Sequence, residues 1–336
     1  MSTVSTKPKK YTYFIGIDVS RNKLDFAVLA DDSFVLHQIT NNAPDDILSF
    51  INSLKKLPKF TISKALFCME NTGIYCNFLL NCFKKLKANA VLENPYHLKH
   101  SLGLIRGKSD KLDAIRIANY IYQSRNNVRL WLSKRPIIDQ LMQFTALRSR
   151  LITIQGILKI PLKEQLAFIT TKQYLYNNML CINSLNSVIE DITNIDLSID
   201  GIVKADERIS RLMTIITSVP GVGRITALQV IISTNEFLDI TDPKKFACFA
   251  GIAPFKNESG TVIASARISH MGNKKIKTLL STCALSSIRY KNDLQEYYLR
   301  KTEVEKKPKR VVLNAVRNKI VLRIFACLHA DRCFEL

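Results

Sequence analysis

Four carboxylates stand where they could act together in one reaction. Asp18 lies within the apolar segment YFIGIDV, and Glu70 ends the segment KALFCME. Asp110 and Asp113 stand three residues apart at the start of a predicted helix, a spacing that places both on one helix face. A carboxylate among apolar neighbours is costly unless it is solvated, hydrogen-bonded or bound to a cation. Taken singly, each residue also has an ordinary explanation, as a strand-end charge, a helix cap or part of a solvated face.

The segments around these carboxylates predict an alternation of strands and helices. YFIGIDV, LDFAVLA and FVLHQIT are short apolar runs joined by tight polar turns, a pattern typical of an antiparallel meander. A helix opening at Pro44, the strand KALFCME, a helix from about Thr72 to Lys87, the strand NAVLE and the helix DKLDAIRIANYIYQS follow. The order β-β-β-α-β-α-β-α is that of the ribonuclease-H-like nuclease fold. In that fold the first strand, the fourth strand and the last helix converge at one sheet edge, which would gather the four carboxylates.

Gathered carboxylates repel one another unless cations neutralise them. Mg²⁺ takes oxygen ligands, and two such ions can activate a nucleophile and stabilise the leaving oxygen at a phosphodiester. With only five His in the chain, zinc is not favoured. The sequence therefore predicts a centre for Mg²⁺, or for Mn²⁺ in its place.

The net charge of the chain indicates a polyanionic partner. Lys and Arg number 49 against 28 Asp and Glu, a formal charge of +21. Such a surface attracts nucleic acid, because each neutralised phosphate releases condensed counterions. No apolar run is long enough to cross a bilayer and the N-terminus lacks a secretory signal, so a cytoplasmic protein with no membrane partner is expected.

The remainder of the chain is predicted to be mostly helical. Residues 1–10 are predicted to form a basic tail and 11–130 the domain that holds the four carboxylates, whereas 131–205 are predicted to be a polar helical linker and 206–330 a C-terminal domain. In the linker an apolar seam predicts either a coiled coil between two copies or packing within the chain, with Pro161 breaking the helix upstream. The segment around ESG is expected to be irregular. The seam comprises Ile182, Leu185, Ile189 and Ile192.

Nine short motifs, taken in order, resemble the DEDD transposases of the IS110/IS1111 insertion-sequence family, which includes the Piv-type DNA invertases. In the first half they are GIDVS, KLDFAVL, ENTGIY, NPYHLK and GKSDKLDAIRIA. In the second half they are PGVGRITA, FAGIAP, ESGT and RISHMGNKKIKTLL. The resemblance runs from about residue 13 to 325, and the helical linker is its least distinctive part.

This resemblance implies a RuvC-like catalytic domain, a coiled-coil middle and a mostly helical transposase domain. Asp18, Glu70, Asp110 and Asp113 match the family's metal-binding quartet, and Ser259 matches its DNA-attacking serine. The family further implies a bridge RNA that guides the enzyme to element ends and target DNA, and a homo-oligomer, either dimer or tetramer. The expected location is the cytoplasm of a prokaryote, at the nucleoid.

Basic residues near these motifs are candidates for contacts with nucleic acid. The turn 218–223 precedes Arg224, and its backbone N–H groups could contact phosphate, although an ordinary turn between packed helices is an equal alternative. Cations near a DNA-attacking serine favour phosphate positioning over a solvated face. The further candidates are Lys108, Arg267, Lys274, Lys275 and Lys277.

Two other function classes remain open at this point. A structure-specific nuclease resembling a junction resolvase would use the same carboxylates with water as the nucleophile, and would not need Ser259. A catalytically inactive nucleic-acid-binding protein would need neither the quartet nor the serine.

Overall fold

A computed structural model describes residues 11–101, 107, 109–259, 262–269 and 271–335. The chain divides into two compact units, Met1–Ser133 and Lys134–Leu336. No helix among these described residues is long and apolar enough to cross a membrane. The predicted basic tail, residues 1–10, lies outside the described residues.

The first unit is built on a five-stranded mixed sheet. Its strands are β1 (Tyr13–Val19), β2 (Lys23–Ala30), β3 (Ser33–Asn41), β4 (Ala65–Glu70) and β5 (Asn89–Glu93). The order across the sheet is β3-β2-β1-β4-β5, with β2 antiparallel to both of its neighbours and β4 parallel to β1 and β5. The meander is confirmed, and the sheet has the ribonuclease-H-like order that the sequence predicts.

Helices cover both faces of this sheet. They are α1 (Pro44–Ser53), α2 (Asn77–Leu86), α3 (Pro95–Ser101) and α4 (Asp110–Ser124). Odd-numbered residues of β1 such as Ile15 and Ile17 pack in one core with α1 and α2, whereas Phe14 packs in a second core with α4. The buried residues of α4 follow the i, i+3, i+4, i+7 pattern of a single helical stripe. These residues are Ala114, Ile117, Ala118 and Ile121.

α4 lies directly on β1 because Gly16 has no side chain. A Cβ atom at Gly16 would lie 2.2 Å from the carbonyl oxygen of Ala114 and 2.2 Å from the backbone nitrogen of Ala118. Ser109 caps the helix, since its Oγ accepts a hydrogen bond of 3.3 Å from the N–H of Leu112. The position of the first turn of α4 is therefore fixed relative to β1.

The second unit begins with two long antiparallel helices, α5 (Pro136–Gln165) and α6 (Thr171–Ala205). The predicted seam is buried at Leu185 and Ile192, but Ile189 is 41% exposed. The actual seam continues from Leu185 and Ile192 to Ile199, at heptad spacing. The predicted break at Pro161 is wrong: α5 continues through Pro161 to its end, where Gln165 accepts a hydrogen bond from α6.

The rest of this unit is a helical core that carries one β-hairpin. The segment around ESG, expected to be irregular, instead forms β6 (Pro254–Ser259) paired antiparallel with β7 (Val262–Ile268). Two consecutive β-branched residues, Val262 and Ile263, open β7 and favour an extended chain. The helices are α7 (Glu207–Thr217), α8 (Arg224–Thr234), α9 (Pro243–Phe249), α10 (Lys274–Ser287), α11 (Asp293–Leu299) and α12 (Lys309–His329).

Candidate active site

Strand register aligns four carboxylates in a row across the first unit's sheet. Asp25 of β2 stands opposite Asp18 of β1, and Glu70 of β4 stands opposite Glu93 of β5. Asp18 and Glu70 each stand one residue beyond the last pair of the parallel β1–β4 ladder. All four alternate with residues of the α1–α2 core, so they lie on the face that α4 covers. We call Asp25, Asp18, Glu70 and Glu93 the acidic row.

The first turn of α4 adds two carboxylates to this row. Asp110 begins the helix and Asp113 follows one turn later. Burial, together with the negative charges of Asp110, Asp113, Asp25 and Glu70, raises the pKa of Asp18 to about 6. The structure therefore places the other three sequence-predicted carboxylates, Glu70, Asp110 and Asp113, within electrostatic reach of Asp18.

The two helix carboxylates are held by cations of the first unit. Asp113 pairs with Arg116 at 2.7 Å, and Arg116 also donates to the carbonyl oxygen of Gly107 at 3.0 Å. Asp110 pairs with the ammonium of Lys23 at 2.6 Å.

The inner pair of the row, Asp18 and Glu70, lacks such a cation among the described residues. Among the residues that the structure describes, neither the Asp18 nor the Glu70 side chain forms an ion pair or hydrogen bond with another side chain. Negative charge therefore accumulates on the two central strands, where a carboxylate is costly unless a cation compensates it.

The donor set fits a hard divalent cation. Within the described residues no three His, Cys, Asp or Glu side chains already stand close enough to hold an ion. The carboxylates around Asp18 offer only oxygen donors, which suit Mg²⁺ or Mn²⁺ rather than zinc. Repulsion between the carboxylates opposes their approach to one another. A bound cation would attract all of them and so favour that approach. Burial first, and this repulsion second, raise the pKa of Asp18.

Asp25 is a member of the acidic row that sequence reasoning missed. Its side chain is 4% exposed, with the Nε2 of His37 at 2.9 Å and the Nζ of Lys23 at 3.2 Å. The signal was present in KLDFAVLA, where Asp25 interrupts an apolar strand as Asp18 interrupts the one before it.

Glu93 is the second member that sequence reasoning missed. The hydroxyl of Tyr120 on α4 donates to its Oε2 at 2.8 Å, and the Nδ1 of His97 lies 3.0 Å from its Oε1. Glu93 and Asp25 are the two outer members of the acidic row, and each has side-chain partners from the protein. Among the described residues, only the inner pair lacks side-chain partners.

Ser259 lies in the second unit, as the last residue of β6 and opposite Val262. Residues 260 and 261, between the two strands, lie outside the described residues. The base of this hairpin is fixed by two glycines: a Cβ at Gly272 would lie 2.2 Å from the Cα of Gly251. The FAGIAP and HMGN motifs therefore have a packing function, since their glycines allow two backbones to touch beneath the serine-bearing hairpin.

Comparisons with known proteins identify the family. A model of the DEDD transposase domain of IS110 elements matches residues 15–170, and the model of the transposase IS116/IS110/IS902 family matches residues 213–299. The chain belongs to the IS110 family of DEDD transposases. It is thus a transposase or recombinase acting on DNA, and its DEDD domain implies dependence on a divalent cation.

Similar proteins include both an invertase and a transposase. The pilin gene-inverting protein of Moraxella bovis is 23% identical over 329 residues, covering 96% of this chain and 97% of the relative. The transposase for insertion sequence element IS1111A of Coxiella burnetii is 27% identical over 149 residues, or 44% of this chain and 40% of the relative. Among solved structures, T. thermophilus RuvC in complex with a Holliday junction substrate is 13% identical, with a TM-score of 0.28 over 36% of this chain and all of RuvC.

The turn 218–223 of the transposase is packed against the core of its own unit. Gly221 has a φ of +85°, and a Cβ there would lie 2.6 Å from the carbonyl oxygen of Cys283. The guanidinium of Arg224 pairs with Asp200 at 2.6 Å and donates to the carbonyl of Asp196 at 3.1 Å. These contacts give the turn and Arg224 a role in packing α8 against α6 and α10.

The other basic candidates differ in exposure. Arg267 lies on β7 and is exposed, as are Lys274 and Lys275 in the first turn of α10, whereas Lys277 is half-buried. Lys108 lies outside the described residues. The exposed cations are available to a phosphate backbone, which fixes position but carries no sequence information.

Proposed function

We propose that this transposase cuts and rejoins DNA strands by attack of Ser259 on a phosphodiester. The observation that carries the proposal is the inner pair of the acidic row, Asp18 and Glu70, with charge that no described cation neutralises. A divalent cation, Mg²⁺ or Mn²⁺, bound there would stabilise negative charge on the phosphate and assist deprotonation of the nucleophile. Asp18, Glu70, Asp110 and Asp113 would hold it.

The chemistry of the exchange balances without water or an external energy source. The Ser259 Oγ forms a bond to phosphorus, loses its proton, and the P–O bond to one strand end breaks, which leaves a free hydroxyl. The other strand end remains attached as a phosphoseryl ester, and a hydroxyl from a new strand end then displaces the serine. Serine is a weak nucleophile unless activated, so the carboxylate centre is required for the first step.

Partners and assembly follow from the same proposal. A bridge RNA would guide the protein to the element ends and the target DNA. The charge of +21 favours binding of both RNA and DNA. The working unit would be a homo-oligomer, a dimer or a tetramer, in which serine and carboxylates can come from different copies.

A covalent-trapping assay tests the serine mechanism. Protein, RNA from the flanking locus, labelled element-end DNA and Mg²⁺ are incubated and then denatured. The wild type should give a protein–DNA adduct, and Ser259→Ala or Asp110→Ala should reduce it by about 10³-fold or more. Ser265→Ala, which removes the same hydroxyl from β7 of the same hairpin, is the control and should retain the adduct.

Two other results would point to the remaining function classes. Free cleaved DNA without an adduct, unaffected by Ser259→Ala, would indicate a hydrolytic nuclease resembling a junction resolvase. Transposition in cells that is unchanged by Asp18→Ala or Glu70→Ala would indicate a binding protein without a cation centre.

A further inference from the structure

Lys23 connects the sheet to α4 through two ion pairs. Its Nζ lies 3.2 Å from Asp25 and 2.6 Å from Asp110. Lys23 is the first residue of β2, and Asp110 is the first residue of α4. One ammonium group therefore connects the end of the acidic row to a carboxylate expected to hold the divalent cation.

Asp25, the partner of Lys23 on the sheet, is buried. Asp25 is 2% exposed and also contacts the ring of His37 at 2.9 Å. A buried carboxylate without a cation would be costly, so Asp25 and His37 keep the ammonium beside the row.

The ammonium stands where it opposes the binding of a second cation. Asp25 is directly opposite Asp18 in the β1–β2 ladder, and Lys23 pairs with both Asp25 and Asp110. A positive charge paired with Asp110 therefore lowers the negative potential at Asp18, and it occupies one oxygen of a carboxylate that the divalent cation requires.

We propose that Lys23 is a positioning residue and the resident counter-cation of the carboxylate centre. Anchored by Asp25, it holds Asp110 in place before a divalent cation binds, and it competes with that cation for Asp110. The inference rests on the proposed function in one respect, namely that these carboxylates hold a divalent cation.

Binding of Mn²⁺ to the full-length protein without DNA tests this competition, by calorimetry after removal of metals with a chelator. Lys23→Met should bind Mn²⁺ about tenfold more tightly than the wild type, because a nearby unit charge that repels the ion is removed. Lys23→Arg retains the charge and should bind Mn²⁺ as the wild type does. Structural damage at the site would weaken Mn²⁺ binding, which is the opposite of the expected effect.

Arg21→Met is the matched control. Arg21 lies two residues before Lys23 in the same turn, is exposed, and its side chain forms no ion pair or hydrogen bond among the described residues. Loss of this charge should change Mn²⁺ affinity by less than about twofold, since exposed charges are screened. Equal tightening by Arg21→Met and Lys23→Met would show a general charge effect and overturn the inference.

Failure of the inference and failure of the proposed function give different results. Unchanged or weaker Mn²⁺ binding by Lys23→Met, or tightening by Lys23→Arg, would overturn the role of Lys23 while the cation centre stands. A wild type that binds no Mn²⁺, with no effect of Asp18→Asn, would overturn the cation centre itself.

Discussion

Asp18→Asn is expected to abolish DNA cleavage and to make the cation-free protein more stable. Loss of the Asp18 carboxylate weakens the hold on the divalent cation, and with it the stabilisation of charge in the transition state, which is worth several kcal/mol. The rate of cleavage should therefore fall by about 10³-fold or more. The same carboxylate is destabilising without a cation, because it is partly buried among like charges. Asparagine has nearly the same shape and carries no charge.

The direction of the stability change follows from the pKa of Asp18. That pKa is about 6 in the folded protein against an ordinary value of 3.8. The group binds its proton more tightly when folded, so the wild type is relatively stable below about pH 4 and loses stability as pH rises through 6. Solvent screens this partly exposed carboxylate, so at about pH 8 Asp18→Asn should gain about 1–2 kcal/mol of stability and melt a few degrees higher.

Calorimetric melting in a chelator at about pH 8 and at about pH 4 checks this prediction. The advantage of Asp18→Asn should be present at the higher pH and disappear at the lower one, where the wild-type carboxyl is protonated. Asp32→Asn makes the same change in the exposed β2–β3 turn and should alter neither melting nor cleavage. Saturating Mg²⁺ should stabilise the wild type but not Asp18→Asn.

A lower melting temperature for Asp18→Asn at about pH 8 would contradict the electrostatic account. It would mean that the Asp18 carboxylate is stabilised by its surroundings without a cation. The inner pair would then have no need of a divalent ion, and the proposed function would lose its main support.

The convergence of the predicted carboxylates could be anticipated because it depends on features that sequence patterns encode. Alternation along YFIGIDV places Gly16 and Asp18 on one face, and the apolar stripe of DKLDAIRIANYIYQS places α4 over that face. Capping by Ser109 fixes where the helix begins, and thus where Asp110 lies. These are local signals, so a single sequence is sufficient to predict them.

The partners of Asp25 could not be anticipated, because they depend on a β-bulge. The register between β2 and β3 shifts between Val28 and Leu29. On the side of the shift away from the β2–β3 turn, Ala27 stands opposite His37. Without that shift Ala27 would oppose Leu36, and His37 would point to the other face, away from Asp25. Nothing local in the sequence marks the bulge, so the contact of His37 with Asp25 is visible only in the structure.

The serine-bearing segment shows a similar limit. ESG resembled a loop because glycine and serine favour turns. Its extended conformation depends on pairing with β7 and on the contact between Gly251 and Gly272, which are separated by 20 residues in the chain. Contacts of this range override local turn preference.

Gly16→Ala is expected to be the most damaging small substitution in the first unit. The added methyl group would lie 2.2 Å from two backbone atoms of α4, at Ala114 and Ala118. Backbone atoms cannot move aside as a flexible side chain can, so α4 must shift away from β1. The expected cost is about 3 kcal/mol or more, at the upper end of the range for overpacked cores.

The same shift should impair catalysis beyond its effect on stability. Asp110 and Asp113 are in the first turn of α4, within one turn of Ala114, so a displaced helix carries both carboxylates away from Asp18 and Glu70. Misplacement of about 1 Å at a catalytic centre costs on the order of 10²-fold in rate. Cleavage assayed well below the melting temperature, together with Mn²⁺ affinity, separates this loss from simple unfolding.

Gly201→Ala provides a control of identical chemistry. Gly201 lies in α6, and a Cβ there would meet no atom within 4 Å. Alanine favours a helix over glycine, so this variant should melt at the same or a higher temperature and keep its cleavage rate. If Gly16→Ala behaved like Gly201→Ala, α4 would not lie directly on β1. The acidic row would then lose the helix that brings Asp110 and Asp113 to it.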